Sequence, residues 1–366
     1  MKSPQILRRH PALRWVVPVG ALAFAFAATA VAVTGTSGQS RLPPTTAAKL
    51  MAAVSEARVG AGFSGTLLAQ MTVDLPVSSD TGTGGALMAM LAGAHTMRFW
   101  YSGENRQRVA LLSPTSESDV FQGGTDVWQW DSESRVAVHS MLPAAAQAGF
   151  GAPISPAPLT IAALTPQELT ERSLAAVDDR TTVTVSDGHE VAGRPTYELV
   201  LQPSPNSPTR IASVHIAVDA SEKVPLGVQV YARGLTRPSI DVGFTSVTYK
   251  TPAPDYFAFT PPSGSAVVPG AQPQIIATDA SAAASDSAFA APGIGWSAIT
   301  EYRTADGQAA PTSAPMQTRM AAVSGPWGSG RLLQTPLLCM LVSDDGRVFS
   351  GSVEPGALYQ AAATAP

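Results

Sequence analysis

Cysteine is almost missing from this chain of 366 residues: Cys339 stands alone, so no internal disulfide can form. Its neighbours Leu337, Leu338, Met340 and Leu341 are apolar and supply no base, which reads as a buried core thiol rather than a reactive one. Histidine is nearly as rare. None of His10, His95, His139, His189 and His215 pairs with another at the i, i+4 spacing of a helical zinc site, and no Cys/His cluster has zinc spacing. The sequence therefore calls for neither a structural nor a catalytic metal. It also lacks a G-x-S-x-G elbow and a P-loop lysine pattern, so the common hydrolase and NTPase signatures fail. Gly60-Ala61-Gly62-Phe63-Ser64-Gly65 matches G-x-G-x-x-G but follows a helical pattern and opens a strand, the reverse of a dinucleotide fingerprint. No cofactor is expected.

Positive charge is scarce after the first few residues. Setting aside Lys2, Arg8, Arg9 and Arg14 leaves 19 basic residues against 27 acidic ones, which argues against binding a phosphate backbone, so no nucleic-acid partner is expected. Those four cations precede an uncharged run from Trp15 to Val33, close to the ~20 residues that cross a bilayer as a helix. Two readings of residues 1–38 stay open: a cleaved signal peptide, for which Ala28-Thr29-Ala30 offers a cleavage site, and a retained signal anchor that would make the membrane a partner. Either places the rest of the chain outside the cytoplasm.

Hydrophobic residues make up 45% of the chain, ample for a core. Residues 39–46 form a polar linker, and apolar positions Leu50, Val54 and Ala57 predict a helix over 47–59. The period then becomes two. Alternation predicts strands over 67–73, 97–101, 106–112, 126–130 and 135–141, with turns at Gly123-Gly124 and Asp131-Ser132. Thr165-Pro166-Gln167-Glu168 combines a cap, a first-turn proline and a glutamate three residues on, predicting a helix to about Val177. Strands follow over 182–186, 196–202, 211–218, 224–232 and 240–249. A linker rich in Ala, Ser and Pro over 269–292 leads to a small αβ module over 293–366, with a hairpin around Asp344-Asp345-Gly346 and a short last helix.

Chemistry is harder to find than an apolar surface. His139 beside Ser140, or His95 beside Arg98, could be drawn into a nucleophilic scheme, but no third member can be named. Asp178-Asp179 and Asp344-Asp345 sit at turn signals, where solvated aspartates are routine. Aligning the strands by parity instead gathers Leu67, Met71, Met97, Phe99, Tyr101, Val109, Leu111, Trp128, Trp130, Leu199, Val228 and Phe244 on one face of a sheet that twist would curl. The insert carrying Leu87, Met88, Met90 and Leu91 is too apolar for an ordinary loop and would close part of that face. These sixteen residues are either plain core or the lining of a binding cavity. Methionine suits the second role because it adapts to irregular guests.

Three further segments carry a resemblance: Val218-Asp219, then Val224-Pro225-Leu226-Gly227, then Phe257-Ala258-Phe259-Thr260-Pro261-Pro262-Ser263-Gly264. Together they resemble the LolA-like family of outer-membrane lipoprotein-sorting proteins, in its actinobacterial form, and the RseB/MucB sensors of the same fold, over residues 47–268. The resemblance implies an α+β fold, an antiparallel β half-barrel with helices over its concave face. It implies a non-catalytic protein that holds lipid acyl chains or a lipoprotein, with the insert as a lid and an arginine such as Arg98 or Arg108 securing it. The alternative it implies is a regulator that binds a membrane-bound anti-sigma factor as an envelope protein partner.

Overall fold

The computed structural model describes residues 42–57, 62–72, 92–103, 105–141, 165–270, 295–303 and 318–364. The N-terminal apolar run, the insert with Leu87, Met88, Met90 and Leu91, and the linker 271–292 lie outside the described residues. Among the described residues no helix is long and apolar enough to cross a membrane.

Helix α1 (Ala47–Glu56) starts where the Thr46 hydroxyl accepts from the Lys49 N–H at 3.3 Å, and it buries Leu50 and Val54. Six strands then follow in a meander: β1 (Phe63–Thr72), β2 (Ala92–Tyr101), β3 (Arg106–Leu112), β4 (Glu117–Gly123), β5 (Asp126–Asp131) and β6 (Val136–Met141). Helix α2 (Pro166–Ala175) begins at Thr165, whose hydroxyl accepts from the Glu168 N–H at 3.2 Å. A second meander contains β7 (Thr182–Asp187), β8 (Thr196–Gln202), β9 (Ile211–Asp219), β10 (Pro225–Ala232) and β11 (Ile240–Thr248). β11 pairs with β1, which fuses the two meanders into one open sheet.

Its twelfth strand, β12 (Ala266–Pro269), lies at the far edge, parallel to β6, so the sheet is antiparallel except there. To reach that edge from β11 the chain crosses six strands, seven spacings or about 34 Å at ~4.8 Å each. Residues 249–265 make this crossing as a strap, with a 3₁₀ turn at Pro254–Phe257 against β3 and β4. Arg135 fastens the end of the strap by donating from Nη2 to the Ser263 carbonyl at 2.7 Å.

A second sheet orders its strands β13-β17-β16-β15-β14: β13 (Thr300–Arg303), β14 (Ala321–Gly325), β15 (Gly328–Gln334), β16 (Cys339–Ser343) and β17 (Arg347–Gly351). It has five strands where the sequence pattern shows one hairpin. Helix α3 (Pro355–Thr364) packs Leu358 and Ala362 against Leu341, Phe349 and Cys339. Burial pushes the Cys339 thiol up to about 11. The corner between β8 and β9 bonds to this sheet. Thr209 Oγ1 donates to the Ser352 carbonyl at 2.9 Å, the Arg210 N–H donates to the same carbonyl at 2.8 Å, and Arg210 pairs with Glu354 at 2.9 Å.

Candidate functional site

Residues paired directly across antiparallel strands share a face, so the register decides which side chains meet. Leu67 pairs with Met97 and Phe244, and Met97 pairs with Leu111. Phe99 pairs with Val109 and Val109 with Val120. In the other direction Val242 pairs with Val228, Val228 with Ile216, and Ile216 with Leu199. Met71 and Tyr101 fall on the same face through their pairs Ile240 and Phe63. Ten of the twelve residues picked out by parity are thus gathered on one apolar face.

The register separates Trp128 and Trp130 from them. Val120 pairs with Gln129, which leaves Phe121 paired with Trp128, and Asp119 with Trp130, on the opposite face. The cause is β4, a strand the sequence pattern did not reveal, which intervenes between β3 and β5. The two tryptophans pack under the strap instead: the Phe259 ring lies 4.7 Å from Phe121, 5.6 Å from Trp128 and 5.9 Å from Trp130. Arg98 and Arg108 also fall on that face, paired with Ala110 and Trp100. Neither is placed to secure a lid over the apolar face. Arg108 lies between the rings of Trp100 and Phe121, at 4.7 and 4.5 Å, and bonds Asp119 at 2.7 Å and Glu117 at 3.1 Å. Burial pushes the Asp119 carboxyl up to about 6, against the opposing pull of Arg108.

The apolar face is not uniformly closed. Leu67, Met97, Leu199, Ile216, Val228 and Val242 are completely buried. α2 packs on β10 and α1 on β7. Toward β6 the same face holds Val109, Leu111, Val120, Val136 and Val138, all only half-buried. Aromatic rings join the two regions, with Phe244 lying 6.4 Å from Phe63 and 6.5 Å from Phe99 in edge-on contact.

The remaining polar candidates take structural places. Asp219, the acid of the V-D segment, is fully buried and ties the β9–β10 turn. Burial works against its carboxylate, but hydrogen bonds from Arg194 and from the N–H groups of Glu222 and Ser221 outweigh this and hold its pKa below the ordinary value. Gly65 sits where an added Cβ would fall 2.7 Å from the Ser246 carbonyl oxygen, and Gly62 where one would fall 2.7 Å from the Tyr101 carbonyl oxygen, so these two glycines serve strand packing. His139 bonds Asp126 at 2.8 Å and stacks on Trp128 at 4.3 Å, while Ser140, next along the strand, points to the other face. That excludes the His139–Ser140 pairing. His215 stands between Glu198 (3.2 Å) and Ser213 (3.1 Å), in the order of a carboxylate–base–nucleophile relay. Ser213, however, is buried and lies outside the groove that His215 and Glu198 line, so a substrate in that groove does not meet its hydroxyl. Among the described residues no group of three His, Cys, Asp or Glu side chains could hold a metal ion.

No family model matches the chain, and no curated protein matches it. Among solved structures it is similar to MucB of Pseudomonas aeruginosa, described in complex with MucA, at 16% identity over 86% of this chain and 96% of that one, with a TM-score of 0.43. It is also similar to a LolA superfamily protein from Nitrosomonas europaea, at 12% identity over 59% and 99% of the two chains, with a TM-score of 0.22. A domain from Vibrio parahaemolyticus named for outer membrane lipoprotein sorting matches at 11% identity over 55% and 90%, with a TM-score of 0.18.

Proposed function

We propose that this chain is an extracytoplasmic, non-catalytic binding protein that holds a lipid acyl chain, free or carried by a lipoprotein, on the apolar face of its large sheet toward β6. One observation carries the reading. Val109, Leu111 and Val120 continue the sealed row of Leu67, Met97 and Phe99, yet they stay half-buried. Apolar side chains left partly exposed beside a closed core suit a guest that comes and goes.

The energetics suit reversible capture. About 0.8 kcal/mol per methylene gives a fourteen-carbon chain on the order of 11 kcal/mol before the costs of association are subtracted. The insert with Leu87, Met88, Met90 and Leu91 would act as the lid, since it joins β1 to β2, the strands that carry Leu67 and Met97. The test is mass spectrometry of organic extracts from the purified chain. A stoichiometric amphiphile is expected, and extracts empty of lipid from chain produced in its envelope setting would overturn the reading.

A second reading, a regulator that binds a membrane-bound protein, is favoured by the fixed second sheet. Its bonds to Thr209 and Arg210 make the two sheets a single platform, an addition that a simple lipid shuttle does not need. Crosslinking in cells separates the two, because only the regulator requires a stable protein partner.

A further inference from the structure

The apolar face accounts for only one side of the large sheet. On the other side, across β8 to β11 and β1, lies an open groove of about 310 Å³. Its floor includes Gly227 and Gly243, which pair with each other on adjacent strands, flanked by Leu68 and Ala217. Neither glycine has a positive φ, and a Cβ added at either would meet nothing closer than 3.6 Å. Packing therefore does not require glycine here. A glycine in a strand interior weakens the strand; Gly227 borders the register shift of β10 against β9, but Gly243 pairs regularly with Leu68 and Gly227, and there the bare backbone marks close approach by something else.

The walls say what chemistry approaches. Glu190, Glu198 and Asp241 line the groove, and among the described residues no lysine or arginine does. The acids are spread around it, not gathered at one point. Glu198 and Asp241 stand on strands three apart, about 14 Å at ~4.8 Å per strand. Both are held in place. Asp241 accepts from Gln229 Nε2 at 3.0 Å, Gln229 accepts from the Tyr231 hydroxyl at 3.0 Å, and Glu198 bonds His215. Each carboxylate spends one oxygen in these bonds, Oδ2 for Asp241 and Oε1 for Glu198.

We infer that this groove binds an alkylammonium ligand, with methylenes lying on the glycine floor and cationic nitrogens at Asp241 and Glu198. A polyamine and the lysine side chains of a polypeptide share this chemistry.

Titration calorimetry of the full-length chain with spermidine, and in a separate arm with a short peptide bearing two lysines, tests the inference and tells the sources apart. Binding of either probe supports it, and the tighter one identifies the source. Asp241→Asn and Glu198→Gln are each expected to weaken binding about tenfold, the effect of losing one charge-assisted contact. The double substitution Gly227→Ala, Gly243→Ala, for which the backbone has room, should weaken it comparably while leaving the thermal melt near its parent value. If that variant fails to fold, amide shifts of Gly227 and Gly243 on titration of the parent provide the same readout. The inference is overturned if neither probe binds, if the carboxylate variants bind like the parent, or if the two glycine amides do not respond.

Discussion

The division of residues between the two faces of the large sheet makes a quantitative prediction about Leu111 and Trp128, which the sequence pattern had placed together. Leu111 pairs with Met97 on the apolar face and is half-buried. A leucine side chain is worth about 1.5–3 kcal/mol when fully buried, so the exposed half offers a guest about 1 kcal/mol. Leu111→Asp forfeits that and presses a carboxylate against hydrocarbon, at a further cost of about 1–3 kcal/mol. The sum, about 2–4 kcal/mol, weakens an acyl guest by roughly 30-fold to 1000-fold. Trp128→Ala removes a far larger side chain, yet from beneath the strap, where it contacts Phe259 and His139. It should cost up to about 3 kcal/mol of stability and leave affinity within about twofold. The assay is titration with a fluorescent fourteen-carbon fatty acid, with circular dichroism confirming that both variants are folded and Leu111→Ser as the milder substitute. Equal losses of affinity in the two variants would refute the assignment of faces.

Two ionisable groups give further outcomes. Asp219→Ala removes the acceptor of the Arg194 guanidinium and of two turn N–H groups, and should lower the urea midpoint at pH 7 by an amount equivalent to about 2–4 kcal/mol. Because the folded pKa of Asp219 is depressed, its contribution is complete above the ordinary carboxylate range and vanishes as pH falls through the folded value, so the variant should differ least from the parent near pH 2. Asp119 behaves oppositely. With its folded pKa raised to about 6, the folded chain holds a proton that the unfolded chain releases near 4, so this group favours folding at low pH and its contribution fades as pH rises from about 4 to 6. Asp119→Asn should flatten that part of the stability profile, and a carboxyl carbon resonance titrating near pH 4 would contradict the raised pKa.

Much of this architecture is written in local signals. Thr165-Pro166-Gln167-Glu168 marks the start of α2 because capping chemistry is local, and the strands from β7 to β11 follow alternation that needs no tertiary context. β4 escapes because its apolar residues Val120 and Phe121 are adjacent, one facing the apolar side and one meeting the strap, so neither side alternates visibly. Turn residues at both ends, Ser113-Pro114 and Gly123-Gly124, leave room for it and were the usable signal. Missing that strand misplaces Trp128 and Trp130. β12 is illegible for another reason: it exists only because the strap carries the chain to β6, a long-range pairing with no local trace. The groove was equally hidden, since Gly227 and Gly243 meet only in the register of β10 with β11.

The coverage of the sheet explains why its two incompletely covered regions differ in character. α2 packs on β10 where Val228 and Val230 are buried, so it lies on the apolar face. The strap covers the opposite face, over β3 to β5. Among the described residues the fold thus closes one face of each half and leaves a diagonal pair: the apolar face at β3 to β6 and the opposite face at β8 to β11. The second of these is polar, with Glu198, His215, Gln229 and Asp241. The first sets Val109, Leu111, Val120, Val136 and Val138, in partial exposure, among Gln107, Ser118 and Gln129. Partly exposed aliphatic side chains in an open region are unfavourable if water alone meets them, because an uncovered apolar patch invites association. The persistence of Val109, Leu111 and Val120 there, on a sheet whose other open region is polar, therefore supports the proposed acyl guest and makes Leu111 the side chain on which that proposal is most directly tested.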